Sequence, residues 1–473
     1  MRLPGHVIWE AGADIVDNNG RTLFNVGHMR KRQPRIRSGT PSFPDQGSPQ
    51  STSAREMVIN RINMDMAMRS NWHFPPLFLF LMCSVASAVH AADWPQWRGV
   101  HRNGQTESAR PFTSDVQIEE VWTGELGTGF SSIVVEGDRV ISSGNRENQD
   151  TISCLNRKDG AVLWKYTYPS PLDPNLFEGG PTSTPTIARN RVYAISRTGD
   201  IFCLNLEDGS VHWKVKVPAP ISENVPTWGF SGSPLVHNDR VYFNAGDHGL
   251  CLNADNGDVI WQSGAGELAG YSSPLLMPTA EGTILLLETE KSLVGVSPDS
   301  GEVLWRHPWI TRYGINAADP LVLNQTQLIL TSGYAKGATL LDLNDGPPKE
   351  LWRNRNVRTQ MSPGVLIDGY IYANDGDADR DCKFVCVEAS SGTPKWQERG
   401  FGSSSVIAVG KQLFVLSETG ELVILNAQPE SMEIVARFPI LSGKCWTPVT
   451  FANDMVFARN AVGKIVCFKL NQP

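Results

Sequence analysis

The 473-residue sequence contains none of the short motifs that mark common catalytic machinery. There is no Gly-x-Ser-x-Gly elbow, no His-Glu-x-x-His helix and no phosphate-binding glycine loop, so hydrolase and kinase chemistry find no support. Cys-Cys and Cys-x-x-Cys-His are absent too, which removes a vicinal disulfide and a covalently attached haem. Long hydrophobic runs are missing: the apolar run Leu77–Val85 is about half of the roughly 20 residues a membrane span needs. Basic stripes are missing as well. Residues 1–91 hold 10 Lys+Arg against 6 Asp+Glu, so the net charge of −7 conceals an acidic remainder at −11. Such a surface argues against nucleic acid as a partner and favours cations, neutral ligands or protein edges.

Residues 1–67 are rich in Arg, Ser, Pro and Asn without any sustained period. They read as disordered or as a mis-assigned upstream extension, with Met64, Met66 or Met68 as the expected start. After Met68-Arg69 come the apolar run and Ala88-Val89-His90-Ala91, which together read as a secretory signal over 68–91. Met82 before Cys83 is bulkier than lipid attachment tolerates, so a free mature chain is expected from about Ala92. That places the protein outside the cytoplasm, periplasmic or extracellular, with no transmembrane span.

What the sequence does have is a repeat. Cys154–Trp164 reads CLNRKDGAVLW, and near copies return at Cys203–Trp213, Cys251–Trp261, Gly295–Trp305 and Cys386–Trp396. In each, a glycine stands four residues before tryptophan: Gly160 and Trp164, Gly209 and Trp213, Gly257 and Trp261, Gly301 and Trp305, Gly392 and Trp396. A short apolar strand, a polar turn closed by a glycine able to take positive φ, and an outer strand near Trp make a hairpin. The landmarks Trp122, Trp164, Trp213, Trp261, Trp305, Trp352 and Trp396, with Arg437 in a degenerate eighth slot, are 41 to 49 residues apart. That period, with four short strands per unit, predicts an all-β propeller.

Small, hydroxyl-rich segments open the units, among them Thr182-Ser183-Thr184-Pro185, Gly232-Ser233-Pro234 and Trp446-Thr447-Pro448. They suit inner strands that crowd around a central channel, where Pro is tolerated at a strand start. Residues 446–470 supply three strands and stop before a closing Trp, while Ile118–Trp122 supplies one outer strand without a hairpin. Joined, they complete an eighth blade and remove open edges. Blade 5, with Gly346 six residues before Trp352, and blade 7, with Gln428-Pro429-Glu430-Ser431, depart from the pattern and predict looser docking.

The Gly-x-x-x-Trp hairpins resemble the tryptophan-docking repeats of the quinoprotein alcohol dehydrogenase-like propellers. The opening Asp93-Trp94-Pro95-Gln96-Trp97-Arg98-Gly99 is similar to that of exported bacterial PQQ-repeat proteins. The resemblance spans about 93–470 and implies an eight-bladed propeller over 92–473, but the superfamily holds both dehydrogenases and the non-catalytic propeller of the outer-membrane barrel assembly machinery. The family's enzymes imply PQQ, a calcium held by carboxylate and amide oxygens, a catalytic Asp and an aromatic floor. Carried onto this chain, Trp228, Arg312, Asn316, Lys444 and Trp446 would bind the cofactor and Asp319 would be the catalytic candidate, against a plainer reading in which Trp228 and Trp446 plug the channel.

Asp375-Gly376-Asp377-Ala378-Asp379-Arg380-Asp381 alternates carboxylates as calcium loops do, making Asp375, Asp377 and Asp379 the candidate metal ligands. It departs from the EF-hand at Arg380 and at Cys386 in the twelfth position. Cys154, Cys203, Cys251, Cys386 and Cys467 recur once per unit and read as a buried small-residue slot rather than disulfide partners. With every testable catalytic device missing, the reading is an exported binding or scaffold propeller that holds a protein or polymer partner at blade edges and loops. The alternative is a PQQ-dependent alcohol or polyvinyl-alcohol dehydrogenase.

Overall fold

The computed structural model describes residues 93–107, 110–172, 177–344, 346–378 and 382–472, together with one upstream strand pair, Ile15–Val16 and Thr22–Leu23. The chain divides into two compact units, Met1–Cys83 and Ser84–Pro473. The segments expected as an upstream extension and as an export signal otherwise lie outside the described residues. In the second unit, eight antiparallel sheets follow one another as the blades of a propeller. Blade 1 runs through Val134–Glu136, Arg139–Arg146, Gln149–Asn156 and Val162–Pro169, each strand paired with the next. Blades 2 to 7 occupy 186–216, 235–262, 275–308, 321–354, 365–398 and 405–439. No helix among the described residues is long and apolar enough to cross a membrane.

The core lies between blades rather than along the axis. Tyr193, Ile195 and Trp213 of blade 2 pack on Val241, Phe243 and Leu250 of blade 3, and similar clusters join the other neighbours. A middle strand is therefore covered on both faces, and Gln412–Leu416 is buried at every position. An outer strand is covered on one face: in Val162–Pro169, Trp164 and Tyr168 turn inward while their neighbours face solvent.

The repeated hairpin is one local geometry used many times. Cys154 pairs opposite Trp164, Cys203 opposite Trp213, Cys251 opposite Trp261 and Cys386 opposite Trp396, and a β-bulge follows each of these cysteines. The bulge sharpens the local twist. The slot opposite a large indole leaves room only for a small side chain; in blade 4 it is Gly295, whose added Cβ would lie 2.2 Å from the Trp305 ring. All seven described cysteines are buried free thiols.

These Trp residues dock on the next blade's turn. Trp122 Nε1 donates to Arg157 O at 2.8 Å, Trp164 to Leu206 O at 2.9 Å, Trp213 to Ala254 O at 3.0 Å and Trp261 to Pro298 O at 3.0 Å. The turn glycine is needed twice over. Gly209 has φ +72°, and a Cβ on it would lie 2.5 Å from the Trp164 ring.

Two irregular units behave differently from one another. At blade 5, no atom of the described residues comes within 4 Å of where a Cβ on Gly346 would sit. At blade 7 the docking bond is kept, Trp396 Nε1 donating to Gln428 O at 3.0 Å without any glycine, so docking there is not loosened as the sequence suggested. The degenerate eighth slot also needs correction. The register places Ala436, not Arg437, opposite Ile424 at the bulge, while Arg437 pairs with Glu421. The reason is closure: blade 8 is Thr450–Ala452, Met455–Arg459 and Lys464–Asn471 completed by the N-terminal strand Gln117–Glu125. Its third and fourth strands come from opposite ends of the chain, so no turn joins them and blade 7 has nothing to dock upon.

Candidate functional site

Around the axis, entry residues of blades 1 to 5 are linked in a chain, and in blades 2 to 5 the linking residue stands just before a proline. Ser132 N donates to Thr184 Oγ1 at 2.9 Å, Thr184 N to Ser233 Oγ at 3.0 Å, Ser233 N to Ser273 Oγ at 3.0 Å and Ser273 N to Asp319 Oδ1 at 2.7 Å. Pro fixes the preceding residue in extended backbone, and a short acceptor side chain reaches the neighbouring blade's N–H. Asp319, preceding Pro320, thus occupies the position that Thr184, Ser233 and Ser273 fill in blades 2 to 4, with a carboxylate in place of a hydroxyl.

That carboxylate is met by the segment ahead of the propeller. Trp94 pairs with Val135 of blade 1, Pro95 O accepts from Ile187 N of blade 2 at 2.7 Å, and Gln105–Thr106 adds a parallel strand to the inner edge of blade 7. The segment therefore crosses the axis and closes one end of the channel. Arg102 inserts its guanidinium among the entry carbonyls, donating to Pro274 O at 3.1 Å and to Pro234 O. Arg98 donates to Pro363 O at 3.1 Å and Gly364 O at 2.8 Å of blade 6. Trp97 Nε1 donates to Asp319 Oδ2 at 2.6 Å, and Arg98 Nε lies 4.0 Å from the same oxygen.

Burial governs the protonation of this group. It pushes the Asp319 carboxyl up, against the opposing pull of Arg98 and Arg102, and it brings both guanidiniums down to about 10. Glu288 is fully buried, neither of its carboxylate oxygens has a hydrogen-bond partner among the described residues, and burial with the Asp319 charge added pushes its carboxyl well up.

A cavity of about 200 Å³ opens beside Asp319. Its wall is largely aromatic: Trp97, Phe130, Phe177, Trp228, Tyr271, Tyr334 and Trp446, with Asp319 and Arg197 as the charged residues among those described. Phe177 bridges the two predicted tryptophans, stacked on Trp228 with centroids 5.5 Å apart and edge-on to Trp446 at 5.1 Å. At 49% exposure it is the ring a ligand meets first. Lys444 Nζ lies 4.3 Å over Trp446 and 4.9 Å over Phe177, and is paired to Glu178 at 2.8 Å.

Of the residues singled out in the sequence, Trp228, Trp446 and Asp319 line this cavity and Lys444 flanks it. The others lie elsewhere. Asn316 is fully buried; its Nδ2 donates to Thr289 O and Trp309 O, and its Oδ1 accepts from Ser332 Oγ. Arg312 lines a separate cleft. Asp375 is held by Arg358 through two bonds of 2.8 and 2.7 Å, Asp377 accepts from Tyr334 N at 2.6 Å, and Asp379 is outside the described residues. Sequence reasoning missed Trp97, Arg98, Arg102, Phe177 and Glu288. For the first three a signal existed: two Trp and two Arg fall within 94–102, in no repeat unit.

A quinone carrying several carboxylates, with its calcium, would need cations on the cavity wall and free oxygen ligands. The described residues do not fit that demand. Asp319 has both oxygens engaged, the Asn316 amide is spent on backbone carbonyls, Arg197 is the single cation on the wall, and no group of three metal-ligating side chains occurs among the described residues. What the wall offers is stacking for one flat or apolar group.

Comparisons with known proteins agree on the architecture. BamB of Moraxella catarrhalis superposes with a TM-score of 0.56 at 16% identity, covering 75% of this chain and 98% of its own. The quinohemoprotein alcohol dehydrogenase of Comamonas testosteroni gives 0.61 at 12% identity, with 80% and 81% covered. A europium-containing methanol dehydrogenase gives 0.60 at 12%, with 80% and 98% covered. At these identities the likeness is one of fold. No curated protein sequence matches. The family profile described as outer membrane protein assembly factor BamB matches residues 148–398, more than half of the chain, and the protein therefore belongs to that family of PQQ-like β-propellers.

Proposed function

We propose that this chain is an exported binding propeller, carried out by the 68–91 signal, that holds a protein or polymer partner through the aromatic mouth of its channel. The observation that carries the reading is the cavity itself. One end of the channel is closed by the N-terminal segment, the polar groups of the closure are spent on one another, and the remaining wall is stacked rings. Such a wall binds a projecting aromatic or apolar group and performs no bond-making step. Membership in a family described by an assembly factor supports a protein partner and a location beyond the cytoplasm.

The test is a tryptophan-fluorescence titration of purified protein with N-acetyl-tryptophanamide, and in parallel with PQQ plus calcium. Saturable binding of the amide, lost in Trp228→Ala, supports the binding reading. Stoichiometric quinone binding that is lost in Asp319→Ala replaces it with the dehydrogenase reading. If neither probe binds, the cavity is a packing void and the proposal fails.

A further inference from the structure

A second concavity, of about 430 Å³, lies at the border of blades 4 and 5. Three separate segments build it: the loop Ile310–Arg312, the turn Tyr334–Lys336 and the end of the blade 5 outer strand at Arg353–Arg355. Among the described residues, four cationic side chains line it, Arg312, Lys336, Arg353 and Arg355, and no carboxylate does. In a chain with more Asp+Glu than Lys+Arg, that concentration of one sign does not follow from composition.

The cations are largely uncompensated. Of the four, Arg353 is paired, to Glu350. Arg312, Lys336 and Arg355 form no ion pair among the described residues; Arg312 rests over the Tyr313 ring at 5.3 Å, and Lys336 rests over buried Trp309 at 4.4 Å. Burial, with the Arg353 charge second, holds the Lys336 amine below its usual range.

The turn that carries Lys336 is fixed as well. Lys336 N donates to Gly333 O at 3.0 Å, closing a turn whose central residues, Tyr334 and Ala335, have φ of +57° and +59°. L-residues avoid that region, and the turn is held in it by Asp377 accepting from Tyr334 N and by Gln360 Nε2 donating to the Tyr334 hydroxyl at 2.9 Å. Two arginines and a lysine around one hollow suit a doubly charged tetrahedral group, which accepts several charge-assisted bonds at once.

We infer that this cleft is a binding site for an oxyanion group of the phosphate or sulfate type. The inference does not rest on the aromatic cavity, although Tyr334 lines both hollows. The test is calorimetric titration of purified protein with inorganic phosphate, sulfate and acetate in chloride buffer of constant ionic strength. Saturable one-site binding of phosphate or sulfate, weaker for acetate, is expected. The exposed double variant Arg312→Ala/Arg355→Ala should lose at least ten-fold in affinity with its melting temperature retained, while Trp228→Ala leaves the affinity unchanged. Absence of saturation for both dianions, or full affinity in the double variant, overturns the site.

Discussion

The rim and the axis of this propeller hold the molecule together in opposite ways. At the rim, a docked Trp and a turn glycine recur from blade to blade, each pair contributing the same indole hydrogen bond and ring contact. Along the axis nothing repeats after the hydroxyl chain: Asp319, Arg98, Arg102 and Trp97 form one network that touches several blades at once. Nearest-neighbour docks add up roughly independently, whereas a buried polar network fails as a unit because each lost donor strands the acceptors it served. A defect at the rim should therefore cost one interface, and a defect at the axis several.

The largest expected effect follows from Arg102→Met, which leaves the carbonyls of Pro234 and Pro274 buried without that donor. Chemical denaturation should show a loss of about 3 kcal/mol or more, and Arg102→Lys should not rescue it, because an ammonium cannot reproduce the fork of a guanidinium. A loss in the Met variant no larger than that of a single rim dock would put the axis on the same footing as the rim.

Next comes Gly209→Ala, which drives a Cβ into the Trp164 ring at a positive φ. A loss of about 1–3 kcal/mol is expected by the same assay. Gly346→Ala, at φ +93° with open space around it, should show only the conformational part, about 1 kcal/mol. The difference between the two variants isolates what one dock contributes.

A smaller effect separates the axis from the rim by pH. Glu288 and Asp319 hold their protons more tightly folded than unfolded. Above the ordinary carboxylate range, the native state binds more protons than the unfolded one, so stability falls as pH rises from about 5 toward the raised folded values. Glu288→Gln should flatten that slope in urea midpoints measured from about pH 5 to about pH 8. A slope unchanged by the substitution would remove Glu288 as its source. The smallest effect is a null one: Ala436→Trp restores a landmark residue where blade 8 offers no turn, and should stabilise by less than about 0.5 kcal/mol.

The rim was legible from the sequence because it is built from local spacing. Glycine four residues before Trp, and Cys or Gly ten before it, encode a turn, a bulge and a register within eleven residues. Even the closing strand Gln117–Glu125 could be found, since its Trp122 lacked a preceding hairpin. Arg437 misled because the blade 7 hairpin has no Gly-x-x-x-Trp landmark to count from, and only pairing across the sheet shows that Ala436 is the slot. At the cavity, Trp228, Trp446 and Asp319 were reachable as entry residues, but Phe177 lies in a loop with no repeat position, and Arg312 belongs to a different hollow.

By itself the sequence determined the number of blades, the outward order of strands and the closure, since each depends on short-range patterns repeated until they are unmistakable. The tertiary structure alone decided which end of the channel is shut and by what. Trp97 meets Asp319 across 222 positions, and Arg98 meets Gly364 across 266. No local period encodes such meetings; they exist because closing the ring brings every blade entry to one axis, where buried carbonyls and a carboxylate must find donors.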